Sequence, residues 1–425
     1  MRDDPTAGAA SVISYPHGDP GPRWRTRYWA VFVGQALSLI GSALTQFVLI
    51  WWITDTTGSV SALAIAGVVA LLPQALLGPL GGTLADRWSR RAIMIAADLI
   101  SAICMTVLIA LFLTDTVALW HLFVMMFIRS AMQAFQQPAA NASTAMLVPK
   151  SFLPRAAGLN QTLTGIMTVA AAPLGALAIS LMPIGYALAI DVTTAVLGIV
   201  PLLVYSIPQT KEPSGQRPNL WREFREGFDF VWGNPGLRRL YCLLGAIVLV
   251  VMPSFTLVPL LVKEHFHGGA SEVALIESVG GAGMIAGGLL VATVAPRRHV
   301  MWVLWGFAIS CLSLALTALS PSAMFPAAVA WWALSGLTYI AGNAPFTALL
   351  QSMVPNHLQG RVLSLLATLM GLATPVGLGL ATPLGELIGV RWLFVTLGIL
   401  GAVVTLLGFL SPQLRNLRLS MGEAR

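Results

Sequence analysis

The chain has 425 residues, 56% of them hydrophobic and only 10% charged, with a mean hydropathy of +0.79; soluble domains carry roughly 25% charged residues. That composition excludes a soluble globular protein, and the even spread of apolar sequence excludes a soluble domain on one anchor. The net charge of +7 does not indicate nucleic acid, because its placement along the chain is that of a membrane orientation signal.

Residues 1–27 are polar, with Asp3, Asp4, Pro5, Gly18, Pro20, Gly21 and Pro22. They lack the apolar core and small-residue cleavage site of a signal peptide and read as a disordered cytoplasmic tail. A helix needs about 20 mostly apolar residues to cross the hydrocarbon, and open backbone groups cannot be satisfied by lipid, so every crossing must be helical. Twelve such stretches follow, at 28–54, 60–85, 92–114, 118–140, 155–181, 184–207, 238–262, 271–295, 300–320, 322–346, 360–387 and 391–411. The expected fold is therefore an all-α membrane protein of twelve transmembrane helices in two six-helix halves, 28–207 and 237–411, joined by a linker at 208–236 and followed by a tail at 412–425. In the linker, Leu220, Trp221, Phe224, Phe228, Val231 and Trp232 recur at helical spacing among charged residues, which predicts an amphipathic helix on the inner membrane face.

Between the second and third spans runs Gly82-Thr83-Leu84-Ala85-Asp86-Arg87-Trp88-Ser89-Arg90-Arg91. One carboxylate and three guanidiniums cannot lie in hydrocarbon, so the run is a short charged hairpin at a membrane surface. The other basic residues agree on which surface. Of the 24 lysines and arginines, only Lys263 and Arg391 fall in outer loops and only Arg129 inside a span; the rest sit in both tails, the linker and alternate loops. The positive-inside rule then places both termini in the cytoplasm. The halves also repeat: Val148-Pro149 followed by Arg155, and Val354-Pro355 followed by Arg361, stand 206 residues apart. Gly287-Gly288 with Arg297-Arg298 is a degenerate copy of the hairpin without its Asp. Two six-span halves with weak internal repetition are a transporter pattern, with the substrate held between the halves near midplane.

The hairpin resembles the G-x-L-a-D-r-x-G-R-K loop of the major facilitator superfamily, with Ser89 where that family usually has Gly and Arg91 where it often has Lys. Gly34-Gln35-Ala36-Leu37-Ser38-Leu39-Ile40, Phe127-Ile128-Arg129-Ser130 and Gly360-Arg361-Val362-Leu363-Ser364-Leu365 are similar to segments of its drug-exporting branch, which includes macrolide efflux proteins. The resemblance implies proton-driven export of amphipathic drugs from the cell membrane. The span-five antiporter motif of that branch appears only as Thr168-x-x-x-Ala172-Pro173-Leu174-Gly175-Ala176, with three glycines replaced. The resemblance also implies a latch, in which Asp86 accepts hydrogen bonds from the start of span eleven near Gly360 and Arg361, where the helix dipole favours a negative charge. Gly82 belongs to the same loop, and Arg87, Arg90 and Arg91 would anchor it to acidic partners and lipid phosphates.

Charges inside spans cost roughly 2.5–3.5 kcal/mol at the centre, so those present are the first candidates for chemistry. Arg129 lies about midway through span four and resembles the family's span-four arginine; it either responds to protonation of a nearby carboxyl or holds helices together as an ion pair. Asp191 and Glu277 are in the outer thirds of their spans and Asp98 in an inner third. A carboxyl in apolar surroundings favours its neutral form, which suits proton loading at Asp191 and Glu277, while Asp98 is better placed for a structural pairing. Gln35, Ser38, Gln133 and Asn160 lead a set of polar positions that line a wet substrate cavity or form interhelical hydrogen bonds.

Other chemistries are excluded. There is no Gly-Lys pair for a phosphate-binding loop, and the single close histidine pair, His265 and His267, makes no metal site. The expectation is a non-enzymatic secondary transporter with no cofactor beyond a proton gradient, whose partners are a small amphipathic substrate, protons and membrane lipids. An exporter of an endogenous metabolite such as a siderophore, and a non-transporting membrane receptor or assembly partner, are the alternatives. No sequence feature speaks to oligomeric state.

Overall fold

The computed structural model describes residues 23–207, 220–296 and 298–411, apart from the side chains at 86, 220–224, 356, 357 and 360. The N-terminal half comprises α1 (Trp24–Thr57), α2 (Val60–Arg87), α3 (Arg90–Leu113), α4 (Leu119–Leu147), α5 (Leu153–Leu181) and α6 (Ile184–Val204). A linker helix, α7 (Leu220–Gly233), leads to α8 (Pro235–Phe266), α9 (Ala270–Val294), α10 (His299–Leu319), α11 (Phe325–Met353) and α12 (Asn356–Phe409). Short polar residues set the boundaries. Ser59 and Ser89 cap α2 and α3 by accepting the N–H groups of Ala62 and Ala92, each at 3.3 Å. Asn234 accepts two N–H groups at the start of α8.

Among the described residues, nine helices are long and apolar enough to cross a membrane. The remaining long ones, α4 and α11, have 29 residues each and carry polar or small residues through their middles. Spans eleven and twelve are two helices that meet at Gly389, within the 54-residue run labelled α12. At about 1.5 Å per residue, an unbroken helix of that length far exceeds a bilayer, so the break turns one element into two crossings. With the two parts of α12 counted separately, twelve helices of membrane-crossing length are described, and α7 is the additional linker helix. Its Val231 is buried in the C-terminal half, while Phe228 and Trp232 stack on each other with ring centroids 4.3 Å apart on the exposed side.

The repeat has a structural counterpart. Phe152 N–H donates to Pro149 carbonyl and Leu358 N–H to Pro355 carbonyl, both at 2.8 Å, so the same proline-initiated turn opens α5 and α12. The halves meet along α2 against α12 and α5 against α9. At the end of the bundle away from the linker, one apolar core crosses both halves, from Leu44, Val48 and Leu63 to Leu257, Val273 and Leu393. At the linker end it divides in two: one core around Tyr28, Met94 and Leu147, another around Leu240, Phe307 and Phe346. The tails, residues 208–219 and Arg297 lie outside the described residues.

Candidate functional site

Four of the six N-terminal helices supply a connected set of polar side chains. Arg129 on α4 donates to Asp191 on α6, Nη1 to Oδ2 at 3.0 Å, and both residues are buried. Ser42 on α1 donates to the other oxygen of Asp191 at 3.3 Å. This approach depends on Gly41: a Cβ there would lie 2.0 Å from Thr194 Oγ1 and 3.0 Å from Asp191 Cα. One turn or two towards the linker end, Gln35 forms a second node. Its Oε1 accepts from Gln136 at 2.7 Å, and its Nε2 donates to the Gly198 carbonyl at 3.3 Å and to Asp98 on α3 at 3.5 Å.

These residues line a cavity of about 380 Å³ enclosed by the N-terminal half, together with Ser38, Gln133 and Asn160. The structure therefore gathers Arg129, Asp191, Asp98, Gln35, Ser38, Gln133 and Asn160 around one space. It gives Asp98 a neutral amide partner on α1 and a place in the cavity wall. Gln74 and Asn141 also line it, and Gln74 was missed. Its signal was available: a lone amide after Pro73 within an apolar span. Gln74 binds across to α4: its N–H, next to the ladder break at Pro73, donates to Ser130 Oγ at 3.2 Å, and its Nε2 donates to Gln137 Oε1 at 2.9 Å.

Glu277 stands apart. It lines a second cavity, of about 360 Å³, between the halves, with Gln46 and Phe47 of α1, Leu71 of α2, Ala172 of α5 and Phe255 of α8. Just beyond this cavity the far end of the bundle is fastened across the halves. Lys263, in the last turn of α8, binds the Asp55 carboxylate at 3.0 Å and the carbonyl of Thr54 at 3.2 Å, at the C-terminus of α1. A cation there meets both a carboxylate and the negative end of the helix dipole. Ser61 of α2 donates to Glu386 of α12 at the same end. The close histidines have local structural partners: His265 bonds the Ser320 carbonyl at 2.9 Å, and His267 is the left-handed cap of α8.

The charged hairpin is held by backbone. Arg90 donates from Nε to the Ala85 carbonyl and from Nη1 to the Ala142 carbonyl, each at 3.2 Å. Arg91 donates to the carbonyls of Leu202 and Leu203, closing the C-terminus of α6. So two of the three arginines expected to seek acids and lipid phosphates spend donors on helix ends within their own half, where unsatisfied carbonyls require them. Arg87 is exposed. Arg361, at the start of α12, pairs with Glu226 of the linker helix. Gly82 has no neighbour within 4 Å of a built Cβ. The Asp86 side chain, on which the latch rests, lies outside what the structure describes.

Comparison with known proteins gives consistent results. The Major Facilitator Superfamily model matches residues 31–378 and, in a second register, 246–419. Macrolide efflux protein A of Streptococcus pyogenes is 32% identical, over 93% of this chain and 97% of its own. The multidrug efflux pump Tap of Mycobacterium tuberculosis is 24% identical, over 87% of this chain and 90% of its own. Among solved structures, a bacterial homologue of the human lysosomal transporter Spinster aligns with a TM-score of 0.70 at 16% identity, covering 94% of this chain and 98% of that one. The nucleoside transporter NupG (D323A mutant) aligns at 0.73 and 13% identity, covering 90% and 99%.

Proposed function

Because the chain belongs to the major facilitator superfamily and is a multi-pass membrane transporter, we propose that it exports amphipathic drugs, macrolide-like antibiotics among them, in exchange for protons. In this reading both termini face the cytoplasm of a cell membrane, and the state described is the one closed at the outer end. The observation that carries the proposal is the buried Arg129–Asp191 pair in the wall of a polar cavity that holds a second carboxylate, Asp98. One guanidinium cannot neutralise two carboxylates, and here Arg129 pairs with Asp191 while Asp98 is held by Gln35. Protonating Asp191 removes its hold on Arg129, and the ion pair then re-forms only when the proton leaves. That gives a proton two states to bias, as a coupled transporter requires.

Substrate binding falls to the second cavity. It lies between the halves, where the family's architecture places cargo, and its volume of about 360 Å³ is within the range of small-molecule sites. Its walls are largely apolar, from Phe47, Ile50, Leu71 and Phe255, and Glu277 supplies the one ionisable group among the lining residues. The relatives named for macrolide and multidrug efflux support export of this class of compound. In the opposite state, closed at the linker end, Asp86 takes the role of a latch against the start of α12.

The test is drug-dependent proton movement in proteoliposomes. Addition of a macrolide to one side is expected to draw protons towards that side from the other, and Asp191→Asn is expected to abolish this flux while drug binding persists. Absence of proton flux with every amphipathic compound that binds would remove the coupling proposal.

A further inference from the structure

At the linker end of the N-terminal half, the start of α1 and the turn before α5 enclose a cavity of about 510 Å³ that neither transport site uses. Two arginines line it, Arg25 and Arg155, with the rings of Trp24, Trp29 and Phe152. The rings are held in place. Trp24 and Tyr28 both pack on Phe152, with centroids 5.1 and 5.6 Å apart, and the Arg25 guanidinium lies 5.5 Å from the Trp24 ring. The elements that form the cavity bring no anion of their own. The sequence holds no Asp or Glu from residue 20 to 54, nor from 116 to 190. One turn further along α1 on the same side as Arg25, Trp29 and then Val33 are exposed, at 43% and 49%. A dicationic mouth with tryptophan rings therefore opens onto an apolar strip that descends the helix.

We infer that this cavity is a binding site for an anionic phospholipid, its phosphate held by Arg25 and Arg155 and its acyl chain laid along Trp29 and Val33. Charge alone suits orientation of the chain, and arginines anywhere at this end serve that purpose. What orientation does not require is a preformed cavity with two cations facing one space and an adjoining apolar strip. An arginine pair suits a phosphate better than lysines do, because each fork donates two parallel hydrogen bonds. The tryptophans sit where such rings concentrate, at headgroup level. A free phosphate would use the arginines and leave the strip uncovered. The inference does not depend on which substrate is carried or on proton coupling.

The experiment uses the purified full-length chain in a mild detergent, with native mass spectrometry to count retained phosphatidylglycerol or phosphatidylcholine. Phosphatidylglycerol is expected to bind selectively, and Arg25→Gln with Arg155→Gln to weaken it roughly thirtyfold, from about fivefold per arginine at an anionic surface. Arg298→Gln, a basic residue of the other half, is expected to leave it unchanged. Equal retention of the two lipids, an unaltered affinity in the double variant, or full displacement by millimolar inorganic phosphate overturns the site. Should the double variant not fold, a photoreactive phosphatidylglycerol on the unmodified protein decides. Cross-links are expected in the peptides containing 24–33 and 149–155, and cross-links confined elsewhere overturn it.

Discussion

At the scale of residues, the buried pair of Arg129 and Asp191 sets the strongest expectation. Two charges taken out of water are tolerated because each satisfies the other, and removing one partner of a buried pair costs about 3–5 kcal/mol. Arg129→Ala is therefore expected to lower the thermal midpoint of the purified protein well below that of Gln35→Ala, which removes amide hydrogen bonds, one of them to the Asp98 carboxylate, worth roughly 1–3 kcal/mol when a partner is left buried. A smaller loss for the arginine would show that Asp191 finds another donor. Two adjacent glycines make a second comparison. A Cβ on Gly81 would lie 1.9 Å from the Ala134 carbonyl oxygen, whereas one on Gly82 meets nothing within 4 Å. Both lie inside α2, where alanine is favoured over glycine by roughly 0.5–1 kcal/mol. Gly82→Ala should thus leave folded yield unchanged or raise it, and Gly81→Ala should lower it by forcing α2 away from α4. Equal behaviour of the two in a thermal melt contradicts the packing argument. The hairpin motif drew attention to Gly82; packing against α4, invisible in one sequence, makes Gly81 the constrained position.

At the scale of elements, α12 shows how a single backbone position divides a helix. Gly389 has φ 79° and ψ 158°, a region that only glycine occupies without strain of about 1–3 kcal/mol. Gly389→Ala is expected to destabilise the protein by that amount, read as a lower melting midpoint; no change would mean that the break relocates freely. The sequence placed a loop between residues 387 and 391 on charge and glycine alone. What it lacked was the backbone geometry of Gly389, at which the chain turns from one helix into the next. Ser89 illustrates the converse. A departure from the family loop, it is the N-cap of α3, and serine is among the preferred capping residues. The linker helix was legible from its alternation of aromatic and charged residues. Its docking on the C-terminal half through Val231 and Glu226 was not, because Arg361, its ion-pair partner, lies 135 residues away.

At the scale of the whole molecule, one core shared by both halves at the far end and two separate cores at the linker end define the state. Lys263 with Asp55, and Ser61 with Glu386, fasten the shared end. Each is partly exposed and on its own is worth about 1 kcal/mol or less, but a two-state carrier whose states differ by a few kcal/mol responds to such amounts. Lys263→Gln is therefore expected to shift the population several-fold towards a state open at the far end, measured as a longer distance between spin labels on the outer ends of α1 and α8. An unchanged distance distribution would show that the shared apolar core alone closes that end. The latch belongs to the same scale: Asp86→Asn should increase labelling of linker-end cysteines in the transporting protein, and unaltered labelling with full transport would sink it.

The sequence by itself determined the membrane class, the all-α architecture, the number of crossings and the family, because these rest on hydrocarbon thickness, backbone satisfaction and a charged loop that tolerates few other environments. It also named most of the polar residues of the N-terminal cavity, since a charged or amide side chain within an apolar span is conspicuous. Only the tertiary structure decided which of them meet. Arg129 chose Asp191 over Asp98 because Gly41 lets α1 and α6 close around that carboxylate, and Glu277 was separated from both by facing the space between the halves. Partner choice depends on helix rotation and interhelical distance, and neither is written in the order of residues along any one helix.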